Sequence, residues 1–474
     1  MASQHKSAIP ECRSPTNWAR NGWAAKSFLY WNSFLIMPDV RSDNLKLLEQ
    51  LKAPPLKIED SRPDFNLIGV VEANETTRLG NMAQTLSNRA AQLVPDLDIP
   101  WRWAPRGSYS PDNNPFGLVS FATAENVHFP ADVFTYNYST AGGPKLPTLF
   151  AEYLNEYFRP SRPLDGSEIR FTGAATAMHE ILAWAVGDPN DGILTSKPVY
   201  GRFELDFSNK AQLRMIYAET TPDTSFEVGV VDSLEEALVA SRCAGVKIRA
   251  LLIVNPNNPL GRCYPRKTLV QLMKFCQKHQ IHLISDEVYA LSVFGEGDGL
   301  PGFTSVLTIE PGYIDDELLH VIYGFSKDFS AAGLRLGCLI TRSTAMLKLI
   351  QMVMRFVNPS GASVAVAIAM LANREWCRHF FDTSRRRIGD AYAHATLGLS
   401  ELGIRFLPAN AGFFVYIDLS PHLKKDVPNP EFELSQRLLD AGVFLHPKEE
   451  HGDLGWFRMV YTQDPRIVTE GFRR

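Results

Sequence analysis

The sequence predicts an α/β fold in which a large domain with a mostly parallel central sheet is joined to a smaller α+β domain. Three observations carry this prediction. From about residue 116 short apolar runs alternate with amphipathic helical segments, and polar residues recur just after the apolar runs end. After about residue 360 a long helical stretch gives way to short strands and one further helix. With 474 residues, 45% of them apolar, the chain can bury a full core.

Residues 1 to about 115 are rich in Pro, Asn, Ser and Trp. They carry helix-like patches, DNLKLLEQL and NMAQTLSNRAAQL, before the irregular PWRWAPRGSYSPDNNP. The run FLYWNSFLIM (28–37) is broken by Asn32 and Ser33 and is too short to span a bilayer, so it reads as a packed arm or helix. GAATAMHEILAWAV (173–186) opens with small residues and continues at helical spacing, which leaves first-turn N–H groups able to hold an anion. VKIRALLIVNP (246–256) is a strand entering a Pro/Asn turn, and RKTLVQLMKFCQKHQ sets Leu269, Leu272, Met273 and Cys276 at helical spacing. IHLISDEVY is the next strand, and HVIYGFS and RLGCLIT are two more, separated by a small-residue turn. EWCRHFFDTSRRRIGDAYAHATLGLSELG is the long helical stretch, followed by FFVYIDL, the helix FELSQRLLDAG, VFLHP and GWFRMVYT.

Composition narrows the partner. Forty-eight basic against 52 acidic residues leave a net charge of −4 with no long like-charged block, which points away from nucleic acid and anionic membranes and toward a small molecule. The six cysteines, Cys12, Cys243, Cys263, Cys276, Cys338 and Cys377, form no CxxC pair and no zinc spacing, so no metal site is expected. They read as reduced, packed thiols of a cytoplasmic protein. The N-terminus lacks the apolar core and cleavage site of a signal peptide.

Open α/β sheets bind ligands beyond the carboxyl ends of their strands. Lys327 stands at such an end, in YGFSKDFSAAGLRLG (323–337), with Arg335 eight positions later. Each neighbouring motif has an ordinary reading: NPNNPLG (255–261) as a turn, Asp286 as a cap, Tyr289 as a core residue. No GxxxxGK[ST] loop occurs, and the GxGxxG string at 297–302 (GDGLPG) is not a fingerprint that opens a helix after a strand, which argues against a nucleoside triphosphatase or a dinucleotide enzyme. Taken together, the strand-end groups are a lysine amine, a carboxylate, Asn and Tyr donors, and a helix start paired with an arginine. That set suits a cofactor that forms an imine, carries a protonated ring nitrogen and ends in a phosphate.

On these motifs the chain resembles the fold-type I pyridoxal 5′-phosphate enzymes of the class I/II aminotransferase family. Within it the chain is most similar to 1-aminocyclopropane-1-carboxylate (ACC) synthases and to fungal ACC-synthase-like proteins, over about residues 82–462. The resemblance implies that Lys327 forms the Schiff base and that Arg335 binds the phosphate together with Ala175 and Thr176 of TGAATA. Asn258 bonds the ring oxygen with help from Tyr289, Asp286 faces the pyridine nitrogen, and Tyr200 stacks on the cofactor. Arg458 in GWFRMVY takes the substrate carboxylate, and Glu125 in TAEN lies on the substrate side. It further implies a homodimer with shared active sites, in which Tyr138, or else Tyr136, reaches the neighbouring subunit's phosphate. Gly324 departs from the pattern, because relatives carry a phosphate-binding serine three residues before the lysine; Ser326 is the candidate substitute.

The implied domains are an arm at 1–80, a first piece of the small domain with an active-site segment at 81–130, a large cofactor domain at 131–358 and a C-terminal small domain at 359–474. The implied chemistry proceeds through an external aldimine of an α-amino acid and loss of its α proton. Elimination or substitution on a sulfur-bearing amino acid in secondary metabolism is the expected outcome, and transamination with a 2-oxo acid is the alternative. A non-catalytic regulator on the same fold is disfavoured, since no basic helix-turn-helix precedes residue 115.

Overall fold

The computed structural model describes residues 85–93, 112–116, 135–295, 299–447 and 452–474. Seven strands form one sheet: β1 (Ile169–Thr172), β2 (Gly192–Ser196), β3 (Arg214–Ala218), β4 (Ile248–Val254), β5 (His282–Asp286), β6 (Leu319–Gly324) and β7 (Gly337–Thr341). Their spatial order is β1-β7-β6-β5-β4-β2-β3. All neighbours from β6 to β3 run parallel, and β7 alone is antiparallel to both β6 and β1.

Helices pack around the sheet: α1 (Leu146–Tyr157), α2 (Ala175–Val186), α3 (Phe203–Ser208), α4 (Val230–Cys243), α5 (Arg266–His279) and α6 (Thr344–Val353); α7 (Gly361–Ala372) packs on α1, and α8 (Arg374–Glu401) sends Ile388, Ala395 and Leu399 into the core of the small sheet described next. β4 and β5 read as near-continuous apolar runs because both faces are covered: every residue of β5 is buried, including the polar His282, Ser285 and Asp286. The second sheet is small, with β8 (Arg405–Phe406), β9 (Phe414–Asp418) and β10 (Trp456–Val460) in the order β10-β9-β8, and α9 (Pro430–Asp440) and α10 (Pro465–Arg473) lie in the same part of the chain.

The expected strands and helices are present, with edges trimmed by turns. IHLISDEVY stops being strand at Asp286, and RLGCLIT begins only at Gly337. VFLHP has no regular structure. Within NMAQTLSNRAAQL the described part is helical only over Asn88–Ala91, where the Ser87 hydroxyl accepts the Ala90 N–H at 3.1 Å. The run at 28–37 and the rest of the proposed arm lie outside the described residues.

A chain of buried side chains crosses the sheet at the opposite end from the strand carboxyl termini. His282 Nε2 donates to the Thr85 carbonyl at 2.8 Å, which leaves its Nδ1 to accept from His320 Nε2 at 2.9 Å. The Thr341 hydroxyl then lies 2.9 Å from His320 Nδ1. The arrangement needs both rings neutral, and burial accordingly lowers the His282 pKa to about 4. An unfolded histidine takes up its proton near pH 6.5, whereas the folded one resists until about 4. Stability is therefore expected to fall as pH drops through that window, by an amount on the order of 3 kcal/mol for this group. Urea midpoints measured against pH should show a shallower acid loss in His282→Gln than in the wild type; parallel curves would contradict the assignment.

Candidate active site

Five strands deliver their carboxyl ends, or the turns beyond them, to one edge of the large sheet, and β7 starts there. After β1 the chain turns at Ala174, which has φ 99°, and enters α2 without a side-chain cap. Gly173 N–H is taken up by the Val357 carbonyl at 2.8 Å. The first-turn groups of α2, at Ala175 and Thr176, thus face the cleft. They present N–H dipoles suited to an anion.

At the end of β4 the NPNNPLG turn divides its asparagines by task. Asn255 Nδ2 donates to the Thr304 carbonyl at 2.8 Å and its Oδ1 accepts from Tyr264 N at 3.0 Å, while Asn257 Oδ1 accepts from Leu260 N at 3.1 Å. Those two hold the turn. Asn258 lines the cleft, and its Oδ1 accepts from Arg458 Nη1 at 3.1 Å.

The Lys327 turn is built by alternation. Phe325 and Phe329 are buried and stack on each other at 4.5 Å, Asp328 is buried between them in sequence, and Ser326 and Lys327 are left half-buried toward the cleft. Asp328 Oδ2 accepts from Tyr323 Oη at 2.7 Å and from Leu291 N at 2.8 Å, which ties the lysine turn to the segment after Tyr289. Burial raises the Asp328 pKa to about 7. Lys327 Nζ lies 5.5 Å from the Tyr289 ring centre. Burial lowers the Lys327 pKa, Asp286 counteracts, and Arg458 and Arg335 push it further down. An amine so placed is easier to find unprotonated, as imine chemistry requires.

Asp286 ends β5 and accepts the Val288 N–H at 3.2 Å through Oδ1. Its Oδ2 stands 3.2 Å from Nε2 of the buried His179, whose Nδ1 in turn lies 3.1 Å from Asp206 Oδ2. Burial works against a charge on this ring, but the two carboxylates outweigh it and raise its pKa to about 9.

From the small sheet, Arg458 on β10 sits half-buried with its guanidinium 5.8 Å from the Tyr200 and Phe414 ring centres. Phe413 and Phe414 meet Tyr289 edge-on at 5.5 and 5.3 Å. The open cleft has a volume of about 440 Å³, the scale of a small cofactor with its substrate.

The cleft brings together Ala175, Thr176, Tyr200, Asn258, Asp286, Tyr289, Ser326, Lys327, Arg335 and Arg458. Tyr138 is half-buried in the turn Tyr136–Ser139 and does not line it, and Glu125 lies outside the described residues. Sequence reading missed His179, Asp206, Arg202, Phe413, Phe414 and His446, all of which line the cleft. A signal for His179 was available: it is one turn beyond Thr176 on an otherwise apolar helix, where a buried histidine needs a partner.

Gly324 now has a physical reason. It pairs with Gly337 across β6 and β7, and a Cβ there would lie 2.6 Å from the Leu336 carbonyl oxygen. At Gly337 a Cβ would lie 2.3 Å from Ala175 N. The serine that the resemblance leads one to expect here cannot be accommodated without moving this edge.

The family model for "Aminotransferase class I and II" matches residues 132–472, and the chain belongs to that family. It is 28% identical over 393 residues to 1-aminocyclopropane-1-carboxylate synthase 1 of Cucurbita pepo, covering 76% of this chain and 78% of that protein. It is 29% identical over 390 residues to the human 1-aminocyclopropane-1-carboxylate synthase-like protein 1, covering 77% of each. Among solved structures it is similar to a Thermus thermophilus aspartate aminotransferase tetra mutant complexed with tryptophan, with TM-score 0.62 and 20% identity over 92% of this chain and 96% of that one. An alanine aminotransferase from Pyrococcus furiosus matches at TM-score 0.60 and 21% identity, over 72% and 82% of the two chains. The chain is therefore a pyridoxal 5′-phosphate-dependent enzyme of the lyase or aminotransferase type, acting on amino-acid substrates, with the fold-type I architecture.

The donor set fits that cofactor. An uncapped helix start with Arg335, Thr176 and Ser326 suits a phosphate, Asp286 suits a ring nitrogen, and Lys327 stands in the same cleft. Gly324→Ser is expected to weaken the protein by about 1–3 kcal/mol through backbone displacement instead of adding a phosphate contact. Urea denaturation and cofactor dissociation constants check this; a tighter-binding, fully stable variant would refute it.

Proposed function

We propose that this cleft holds pyridoxal 5′-phosphate on Lys327 and carries out elimination or substitution on a sulfur-bearing α-amino acid, in the manner of ACC-synthase-like enzymes of secondary metabolism. The observation that carries the reading is the link between Arg458 Nη1 and Asn258 Oδ1, at 3.1 Å, in the cleft that Lys327 and Asp286 also line. It supports a carboxylate grip beside the reactive amine. The relatives named as ACC synthases, at 28–29% identity, support the branch.

When bound, the cofactor supplies an electron sink for the charge left on the α carbon. The chain's own groups do the rest. Arg458, aimed by Asn258 and walled by Tyr200 and Phe414, holds the substrate carboxylate in a two-pronged grip. Lys327, its proton affinity lowered by burial, takes the α proton at Nζ, and Tyr289 beside it limits where that nitrogen can swing. The rings of Tyr289, Phe413 and Phe414 keep water from the reacting carbon.

A homodimer is part of the reading. Thr176 and Arg335 are exposed in the single chain, as a phosphate site covered by a second subunit would be, and Tyr138 is the residue assigned to reach across. In this reading the large cofactor domain is assigned to 131–358 and the C-terminal small domain to 359–474. A cytoplasmic setting is supported by five unpaired cysteines among the described residues; no described helix is long and apolar enough to cross a membrane.

Purified enzyme incubated with candidate amino acids, with and without a 2-oxo acid, tests the branch. Ammonia, a released thiol or a cyclopropane product without the acceptor is expected; strict dependence on the acceptor would replace this reading with transamination. Lys327→Ala should lower turnover by at least about 10²–10⁴-fold and abolish borohydride trapping of the cofactor. Arg458→Ala should raise KM by roughly 10- to 100-fold with a smaller change in kcat, since the contact it removes is made to the bound carboxylate.

A further inference from the structure

We infer that His179 and Asp206 are positioning residues that form, with Asp286, a buried carboxylate–imidazolium–carboxylate relay setting the orientation and charge of the group that faces the cofactor's ring nitrogen. The inference rests on the reading above that Asp286 faces that nitrogen.

The geometry is that of a clamp. His179 projects from the second turn of α2, whose first turn is the phosphate cradle, and it is 3% exposed. One ring nitrogen lies 3.1 Å from Asp206 on α3, and the other 3.2 Å from Asp286 on β5. The rest of its shell is aromatic: the Phe203 ring meets it edge-on at 5.3 Å, and Phe207 lies at 5.5 Å. Asp206 and Asp286 are the charged groups that reach the ring, and Lys327 is a further cation that acts on Asp286.

Two carboxylates so near one another are tolerated at low dielectric only with a cation between them. A neutral imidazole could donate to one of them and would turn a lone pair toward the other. The protonated ring hydrogen-bonds Asp206 through Nδ1 and forms an ion pair with Asp286 through Nε2, and the charge agrees with a pKa raised to about 9. Asp286 Oδ1 is already held by Val288 N–H, so the His179 contact at Oδ2 fixes the remaining freedom of the carboxylate. Asp206, bound to the other ring nitrogen, keeps the ring charged.

The relay also joins two parts of the cofactor site. α2 supplies the phosphate cradle at Thr176 and, one turn later, the cation behind the ring-nitrogen partner. A shift of that helix would move both contacts together.

The test uses the full chain carrying its cofactor, with Asp206→Asn and His179→Gln. Histidine-selective NMR titration, with the His179 signal assigned by its loss in His179→Gln, should show the wild-type ring protonated up to about pH 9 and a clearly lower midpoint in Asp206→Asn. Cofactor dissociation constants should rise about 10- to 100-fold in both variants, the scale usual for groups that orient a ligating side chain. The pH midpoint of the cofactor's visible absorption should shift in the same two proteins. A wild-type His179 that is neutral at pH 7, or variants with unchanged cofactor affinity and absorption profile, overturns the relay even if one variant folds poorly. Wild-type protein that traps no cofactor on Lys327 overturns the underlying reading, and the relay with it.

Discussion

The structure depends on the close approach of two backbones at the edge of the large sheet. Gly324 and Gly337 face each other across β6 and β7, and Gly337 in turn presses against the first residue of α2. No side chain fits in either gap. The contact brings the lysine turn, the arginine that follows it and the open end of a helix to the same few ångströms. With a wider separation, these three groups would belong to different surfaces. The parallel sheet supplies the platform, but this packing turns a set of strand ends into one site.

Around that contact the electrostatics are arranged in layers. The innermost cation, Lys327, is made easier to deprotonate by burial and by two arginines. The innermost anion, Asp286, is backed by a histidine that a second carboxylate keeps charged. Asp328 and Glu287, also buried, have pKa values raised by burial to about 7 and are spent on holding turns: Glu287 accepts from Ser285, Ser305 and Val306, and Asp328 from Tyr323 and Leu291. Carboxylates that look alike in the sequence thus divide into those that meet the cleft and those that support it.

Much of this was legible in the sequence because it rests on period and position. β4, β5 and α5 follow from apolar spacing, and Lys327, Asn258 and Asp286 from their places just after strands. What was not legible depends on three-dimensional proximity between elements far apart in the chain. His179 and Asp206 are 27 residues apart, and nothing in a helix pattern says that a neighbouring helix will bring a carboxylate to the ring. Gly324 looked like a lost hydroxyl; only the distance to Leu336 shows that it is a steric requirement. Arg458 could be read from its motif as a carboxylate ligand, but its engagement with Asn258, 200 residues away, needed the packing of the small sheet against the large one.

The stacked pair Phe325 and Phe329 has a consequence for evolvability. The turn that presents the Lys327 amine is anchored by residues on either side of it, so the amine itself contributes little to the shape of its surroundings. Chemistry at position 327 is decoupled from architecture. A chain built this way can lose, retune or exchange its reaction while keeping the container intact, which makes the cleft a durable scaffold for new substrates.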